Sequence, residues 1–237
     1  MKRLTAYLIL VVCMIPCARL VVWAQDKASE AGFAKYCDTF DRFDENRWRP
    51  VLQKAHKPGT VTCERGVLRL KSVLKQPYEM QVLSRFCLKG DFDLRVSYEV
   101  PGIKDLAGCR ISGGIVLQTP RDTADYECFV VYTPSKGMFY RTRLDRPGAV
   151  PMEIGQKEMA STRGQLRVKR QRGRITCYAA GASRWEEIYS FKAASEAPMR
   201  VCFKLQTGDT KSWNEACPSF LGIDEFFIQF CKEIIPD

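Results

Sequence analysis

The chain has 237 residues, of which 46% are hydrophobic and 27% are charged. This composition is that of a globular protein and excludes a disordered one, and the length fits a single β-sandwich better than two domains. The formal net charge of +10 is consistent with a polyanionic partner. Because lysine and arginine are spread along the predicted strands, a solvated outer face also explains the charge.

The first residues have the pattern of an export signal. Lys2 and Arg3 precede an apolar stretch at 4–17, and Ala24 provides a small residue at a cleavage position. Cleavage would lower the net charge from +10 to +7, since it removes Lys2, Arg3 and Arg19 and no acid. The sequence therefore predicts a signal peptide at 1–24, a short leader at 25–36 and a single domain at 37–237.

The predicted signal places the protein in the periplasm, at the cell surface or outside the cell. A retained membrane anchor is the alternative, but Pro16 and Arg19 interrupt the apolar stretch. A span needs about 20 consecutive apolar residues. We therefore expect no membrane span after cleavage.

The cysteines predict a mixture of free thiols and disulfides. Eleven are present, two of them in the predicted signal, so the odd remainder leaves at least one unpaired. Cys217 with Cys231 or Cys202 is the most plausible late pair. The chain has no Cys-x-x-Cys motif, and its one histidine is His56, so the spacing argues against a zinc site.

Alternation of apolar and polar residues predicts β-structure along nearly the whole chain. In DFDLRVSYEV at 91–100, the apolar residues fall on one face and the polar residues on the other. The apolar runs at 113–119 and 126–132 indicate central strands covered on both faces. Gln171-Arg172-Gly173 predicts a hairpin turn, and 147–163 a long loop. Roughly a dozen such strands predict a sandwich or a barrel.

Several segments carry a family likeness: DTFDRFDENRWRPV, KGDFDLRVSYEV, GGIVLQTPRDTADYECFVVY and GIDEFFI. In this order they resemble the concanavalin A-like lectin/glucanase superfamily, and within it exported bacterial domains with a laminin-G-like jelly roll. The likeness covers about residues 38–230 and makes Trp48 and Gly90 framework positions. It implies an all-β fold, a two-sheet antiparallel jelly-roll sandwich. Relatives bind glycans on the concave face or the rim loops, and some hydrolyse them.

The catalytic pattern of the superfamily is incomplete here. Its glucanases carry Glu-x-Asp-x-x-Glu or Glu-x-Asp-x-Glu on one strand, and this chain has no Glu-x-Asp. The nearest equivalent is Asp125 and Glu127, which are followed on the same predicted face by Phe129 and Val131 in place of a third acid. The sequence therefore predicts no catalytic residues and no enzymatic activity.

Binding is the remaining class of function. Exposed aromatic rings cover the apolar faces of sugars, and arginines bind anionic groups, which makes a set of residues candidates for ligand binding: Trp213, Tyr126, Tyr140, Arg170 and Arg172. We predict a noncatalytic, exported, lectin-like module that binds polysaccharide, including acidic polysaccharide, or a cell-surface partner. The alternatives are a structural exported protein with protein contacts only, and a divergent glycoside hydrolase using Asp125 and Glu127.

We predict neither a cofactor nor nucleic acid as a partner. Calcium occurs in several branches of the superfamily, but the sequence gives no position for it. The sequence predicts no particular oligomeric state.

Overall fold

The computed structural model describes the chain over 32–52, 59–72, 78–101, 110–119, 124–146, 148–150, 152–159, 161–181, 184–193, 196–208 and 219–237. These residues form one 3₁₀ turn at Ala34–Tyr36 and thirteen β-strands. The strands are β1 (Trp48–Leu52), β2 (Gly59–Glu64), β3 (Val67–Ser72), β4 (Tyr78–Glu99), β5 (Arg110–Gln118), β6 (Asp125–Thr133), β7 (Gly137–Asp145), β8 (Met152–Glu158), β9 (Arg163–Gln171), β10 (Arg174–Ala180), β11 (Trp185–Lys192), β12 (Met199–Gly208) and β13 (Ser219–Pro236).

All the strand pairs are antiparallel, and they divide into two layers that share β4. The front sheet has the order β1-β4-β12-β5-β6-β7-β8. The back sheet has the order β2-β3-β13-β4-β9-β10-β11. Rings from the two sheets meet between the layers, as Tyr126 of β6 and Phe191 of β11 do at 5.6 Å between centroids. The all-β sandwich expected from the alternation is confirmed.

Strand β4 passes from one sheet to the other near Gly90. Its first half pairs with β12 from Tyr78 to Leu88, and its second half pairs with β9 from Phe92 to Glu99. Gly90 has φ +73°, a conformation that a side chain disfavours, and this allows the strand to change direction. The glycine that the resemblance marks as framework is therefore required by the backbone.

The core between the sheets is organised around Trp48, which is fully buried. Its ring lies 5.0 Å from that of Phe203, 5.3 Å from Phe226 and 5.9 Å from Phe86. Its indole N–H donates to Asp38 at 2.8 Å, which satisfies the polar atom that burial would otherwise leave unpaired. Phe226 comes from the back sheet, so this cluster joins the two layers.

The structure confirms one local prediction and corrects another. The alternation at 91–100 is confirmed, with every apolar side chain on the inner face buried. The segment 147–163, predicted as a loop, contains β8, which pairs with β7. Packing against the core begins at Phe33, before the predicted domain start at residue 37. Within the residues that the structure describes, no helix is long and apolar enough to cross a membrane.

Candidate active site

A cluster of charged side chains lies on the outer surface of the front sheet, which we call the front face. Odd-numbered residues of β6 point to this surface, since Tyr126 and Cys128 belong to the core between the sheets. Asp125 and Glu127 therefore share the front face, as the sequence predicted. The side chain of Glu127 is only 1% exposed.

Lys204 of β12 connects two carboxylates on this face. Its Nζ lies 3.3 Å from Glu127 and 3.3 Å from Glu79 of β4. Burial acts to lower the pKa of Lys204, but the two carboxylates outweigh it and raise that pKa above its ordinary value. Gly114 of β5 lies between Lys204 and Phe129 of β6 in the register, and its lack of a side chain leaves room for the Phe129 ring.

Two arginines of β7 approach Glu127 from the other side. The Oε2 atom lies 3.8 Å from Nε of Arg143 and 4.0 Å from Nη2 of Arg141. This oxygen is buried and forms no hydrogen bond among the described residues. Glu127 thus has three cationic side chains within 4.0 Å, and this pairing offsets part of the cost of burying a carboxyl group.

Asp125 differs from Glu127 because part of it reaches the surface. Burial raises the pKa of Asp125 to about 6, opposed by the charge of Lys204 and assisted by the carboxylates of Glu127 and Asp145. Asp145 is the direct neighbour of Asp125 on β7. The amide of Gln118 donates to Asp125 at 3.4 Å. Asp125 therefore holds a proton in mildly acidic solution, where an ordinary aspartate has lost it.

Asp145 completes a pair of carboxyl groups at the edge of the cluster. It is 34% exposed and accepts a hydrogen bond from Arg143 Nη2 at 2.8 Å. Directly opposed residues of antiparallel strands have Cβ atoms about 4.5–5.5 Å apart. Asp125 and Asp145 thus combine a protonatable carboxyl group with an ion-paired carboxylate, which is the requirement for cleavage of a glycosidic bond.

An apolar patch adjoins the charged cluster. It consists of buried side chains from β4, β5, β6, β7 and β12, namely Leu83, Val116, Phe129, Val131, Phe139 and Cys202. Phe129 and Val131 follow Glu127 along β6, where the superfamily pattern places its third acid. The next strand, β7, carries a carboxyl group opposite Asp125 in the register, that of Asp145.

Sequence reasoning missed Lys204, Arg143 and Asp145. Only Lys204 had a local signal, a lone cation in the apolar run VCFKL. Its partner Glu127 is 77 positions away, and no local pattern relates two residues so distant. The position of Asp145 opposite Asp125 follows from the register of β6 and β7.

The aromatic residues proposed as a glycan platform lie in the core instead. Tyr126 is 1% exposed and Tyr140 is 7% exposed, because both occupy inward-pointing positions of their strands. Tyr140 shares a hydrogen bond of 2.7 Å with the hydroxyl group of Tyr98 on the back sheet. Neither ring presents a face to a ligand, so this prediction is corrected.

The hairpin arginines have different environments. Arg170 is 1% exposed, and its guanidinium donates to the carbonyl of Ala197 at 3.1 Å and to Glu196 at 3.2 Å, so it is not available to an anion. Arg172 is exposed in the β9–β10 turn, and its backbone N–H donates to Asp91. The third aromatic candidate, Trp213, lies outside the described residues.

The described cysteines are all free. Cys202 and Cys231, the predicted partners of Cys217, are both buried thiols, and Cys231 donates to the carbonyl of Glu233. Cys217 itself lies outside the described residues. Over the described part of the chain, no group of three or more potential metal ligands is present.

A separate groove of about 570 Å³ lies beside β13, on the other side of the molecule from this cluster. The segment from Ala34 to Arg47 lines it, together with Arg95 and Phe227 of the back sheet. Among the groove's acids, Asp38 and Asp44 pair with Arg47. The groove does not contain the Asp125–Asp145 pair.

Comparison with known proteins places this geometry in a fold class. The chain matches no protein-family model and no curated protein. Solved structures share the fold over most of their length. One, from work on endo-acting O-glycanases of the human gut microbiota, has a TM-score of 0.62 at 12% identity and covers 81% of this chain and 97% of its own. A glycoside hydrolase of family GH16 from Bacteroides ovatus, solved with a product, has a TM-score of 0.60 at 13% identity, over 81% and 99%.

A β-1,3-glucanase from Mycobacterium marinum gives a TM-score of 0.58 at 11% identity, over 81% of this chain and 97% of that one. The fold is therefore the concanavalin A-like jelly roll of these enzymes, as the resemblance in the sequence implied. The prediction of a noncatalytic lectin-like module without enzymatic activity is contradicted, since these neighbours are glucanases and glycanases. The alternative, a divergent glycoside hydrolase, has the better support.

Proposed function

We propose that this protein is a glycoside hydrolase that cleaves a polysaccharide or a protein-linked glycan at the front face. The observation that carries the proposal is the juxtaposition of Asp125 and Asp145, one protonatable near pH 6 and the other ion-paired with Arg143. Solved structures with the same fold act on β-glucans and O-glycans by their descriptions. The predicted export would give the enzyme access to such substrates.

Asp125 acts as the general acid. A glycosidic oxygen leaves as an alcohol only if it receives a proton, so the donor must still be protonated at working pH. The pKa of about 6 meets this requirement in mildly acidic solution. Gln118 orients the carboxyl group through its amide.

Asp145 acts as the second carboxylate, facing the anomeric carbon. Asp145 lies directly opposite Asp125 on the neighbouring strand, and retaining enzymes use two carboxyl groups that face each other across the scissile bond. Asp145 is then the nucleophile, and net retention is the expected stereochemical outcome. Glu127 is too deeply buried to touch a sugar, and Glu127 and Lys204 act on Asp125 through their charges, which raise and lower its pKa respectively.

The test is hydrolysis of β-1,3-glucan, mixed-linkage glucan and mucin O-glycans by the purified chain. The measured quantity is the number of reducing ends released. Asp125→Asn and Asp145→Asn should each lower kcat by about a hundred- to ten-thousandfold. Asp224→Asn, an exposed acid of β13, is the matched control and should leave kcat unchanged. The proposal fails if the wild-type chain is inactive on all three substrates, or if either active-site variant retains full activity.

A further inference from the structure

The outer surface of the back sheet, which we call the back face, carries a row of stacked rings and guanidinium groups. Across neighbouring strands, Phe227 pairs with Arg95, Arg95 with Arg167, and Arg167 with Tyr178. The guanidinium of Arg95 lies 4.7 Å from the ring of Phe227. That of Arg167 lies 5.8 Å from the ring of Tyr178 and 5.6 Å from that of Trp185. Neighbouring strands are about 4.8 Å apart, so the row extends over roughly 20 Å.

The rings of this row are held rigidly at the surface. Arg167 is fixed by Asp93, which accepts from its Nε at 2.7 Å and also from its Nη2. One guanidinium, locked by a bidentate ion pair, thereby orients both Tyr178 and Trp185. Both rings remain half-buried rather than entering the core. Ordering the rings before a ligand arrives lowers the entropic cost of binding.

Cations outnumber carboxylates around the row, although two acids also lie there, Glu187 opposite Tyr178 and Glu225 beside Ser97. Asp93 is occupied by Arg167, and Glu99 by Arg163 and Arg69. Four other cations on the face have no carboxylate partner among the described residues, namely Arg95, Lys169, Arg174 and Lys192. A surface of this kind attracts polyanions, and arginine forks bind carboxylate and sulfate groups.

We infer that the back face is a second binding site, separate from the front face, for an extended anionic glycan that carries carboxylate or sulfate groups. Tyr178 and Trp185 stack on the apolar faces of sugar rings, and Arg95 with Lys169 binds the anionic substituents. The inference that the polyanion is a glycan rests on the proposed function as a glycoside hydrolase. Such a site would hold a long chain on the enzyme while the front face cleaves it.

The groove beside β13 extends this surface in the same direction. Arg95 and Phe227 belong both to the row and to the wall of the groove, so the two features are continuous. A chain lying along the row would reach this groove at its β13 end. The groove is also lined by Asp38, Asp41, Asp44 and Glu225, which disfavour anionic substituents, so the anionic groups of the ligand are assigned to the row and not to the groove.

Binding is measured by affinity electrophoresis and calorimetry with the Asp125→Asn chain, which removes turnover. The probes are polygalacturonate, dextran sulfate and neutral dextran. We expect binding to at least one anionic probe, weak binding to neutral dextran, and a loss of about tenfold in affinity for Tyr178→Ala and for Trp185→Ala. Arg95→Glu, at an exposed position, should weaken binding equally and reduce its dependence on salt.

Lys136→Glu, an exposed cation in the β6–β7 turn of the front sheet, is the charge-matched control and should bind like the parent. Unchanged affinity in the three back-face variants would overturn the inference. It would also be overturned if phosphatidylserine vesicles or a single-stranded oligonucleotide bound as tightly and without dependence on Tyr178 and Trp185, because charge alone would then explain binding.

The two proposals fail separately. Hydrolysis of a short soluble oligosaccharide depends only on the front face, so Trp185→Ala should retain it fully. Binding that is lost in the ring variants, with no hydrolysis by the wild-type chain, would support the second site and reject the proposed activity. Hydrolysis by the wild-type chain, with binding that does not depend on Tyr178 and Trp185, would support the proposed activity and reject the second site.

Discussion

The two outer surfaces of the sandwich differ in the burial of their charged side chains. On the front face, Glu127, Lys204 and Arg141 are almost completely buried, and ion pairs join Glu127 to both cations. On the back face, pairs such as Arg163 with Glu99 are largely exposed, and several cations have no carboxylate partner among the described residues. Both surfaces come from strands with the same alternation.

The difference has a physical consequence. A buried charge is stabilised only while its partners remain, whereas an exposed pair contributes little because water replaces the lost partner. The front face should therefore tolerate few substitutions, as expected of a site in which charge is arranged for chemistry. The back face should tolerate many, with effects on binding rather than on folding. Three pairs of substitutions of the same type, one on each face, separate these cases in order of expected effect, and a pH profile and a turn variant come after them.

The largest effect is expected for Gly114→Ala on the front face. An added Cβ would lie 2.3 Å from the carbonyl oxygen of Cys128 and 3.1 Å from the ring of Phe129, so β5 and β6 would have to separate. The free energy of unfolding should fall by about 3 kcal/mol or more in chemical denaturation. Gly173→Ala in the back-sheet turn meets no atom closer than 3.8 Å and should cost only about 1 kcal/mol, from its positive φ. An equal loss of unfolding free energy in the two variants would contradict the expected difference in tolerance between the front and back faces.

Replacing a lysine by methionine tests the buried ion pairs. Lys204→Met leaves Glu127 buried beside two distant guanidinium groups and should destabilise the fold by about 3 kcal/mol. Lys71→Met breaks an exposed pair with Glu64 on the back sheet, and should change stability by about 0.5 kcal/mol or less. Both values come from urea midpoints, and a Lys204 variant as stable as wild type would show that the cluster is not energetically coupled.

Asp125 should make the fold less stable at neutral pH. Its pKa of about 6 in the folded state exceeds the ordinary value of 3.8, so between these values the folded state keeps a proton that the unfolded state has lost. Stability therefore falls as pH rises through this window, by about 1–2 kcal/mol after allowance for solvent screening. Asp125→Asn should remove this slope and raise the Tm at pH 7 while eliminating activity. Asp91→Asn on the back face should keep the slope.

The same protonation sets the pH dependence of the proposed reaction. The general acid must be protonated, so kcat/KM should fall as pH rises above 6, with an apparent pKa near that of Asp125. Measurement of kcat/KM from pH 4 to 9 on one glucan checks the profile. A profile that stays flat to pH 8 would assign proton donation to another group.

The smallest effect is expected in the back-sheet hairpin turn. Arg172 and Gly173 both have positive φ, at 50° and 71°, which defines a type I′ turn. Asparagine adopts this conformation more readily than arginine, so Arg172→Asn should raise stability by about 0.5 kcal/mol. Thermal unfolding detects the change, and a lower Tm would mean that the arginine side chain has a stabilising contact at the turn.

Most of the fold was predictable because the alternation that indicates a strand involves only neighbouring residues. The alternation in 91–100 identified the inner face of β4, and Gln171-Arg172-Gly173 identified the hairpin turn. The local pattern did not correctly predict whether each of three single side chains points into the core or to the surface. Tyr126 and Tyr140 were predicted as exposed, yet the register of β6 and β7 turns them into the core. Arg170 was predicted to be an exposed ligand-binding arginine because it lies in a run of charged residues. It is buried instead, and it donates to Glu196 and to the carbonyl of Ala197.

The sequence by itself determined the antiparallel strands, the sandwich and the shared face of Asp125 and Glu127, because a period of two needs only neighbouring residues. Tertiary structure alone decided that Lys204 reaches Glu127, that Asp145 stands opposite Asp125 and that Arg167 orients Tyr178 and Trp185. Each of these contacts depends on the register between strands distant in the chain. Register is set by the packing of the whole core, which no local pattern records.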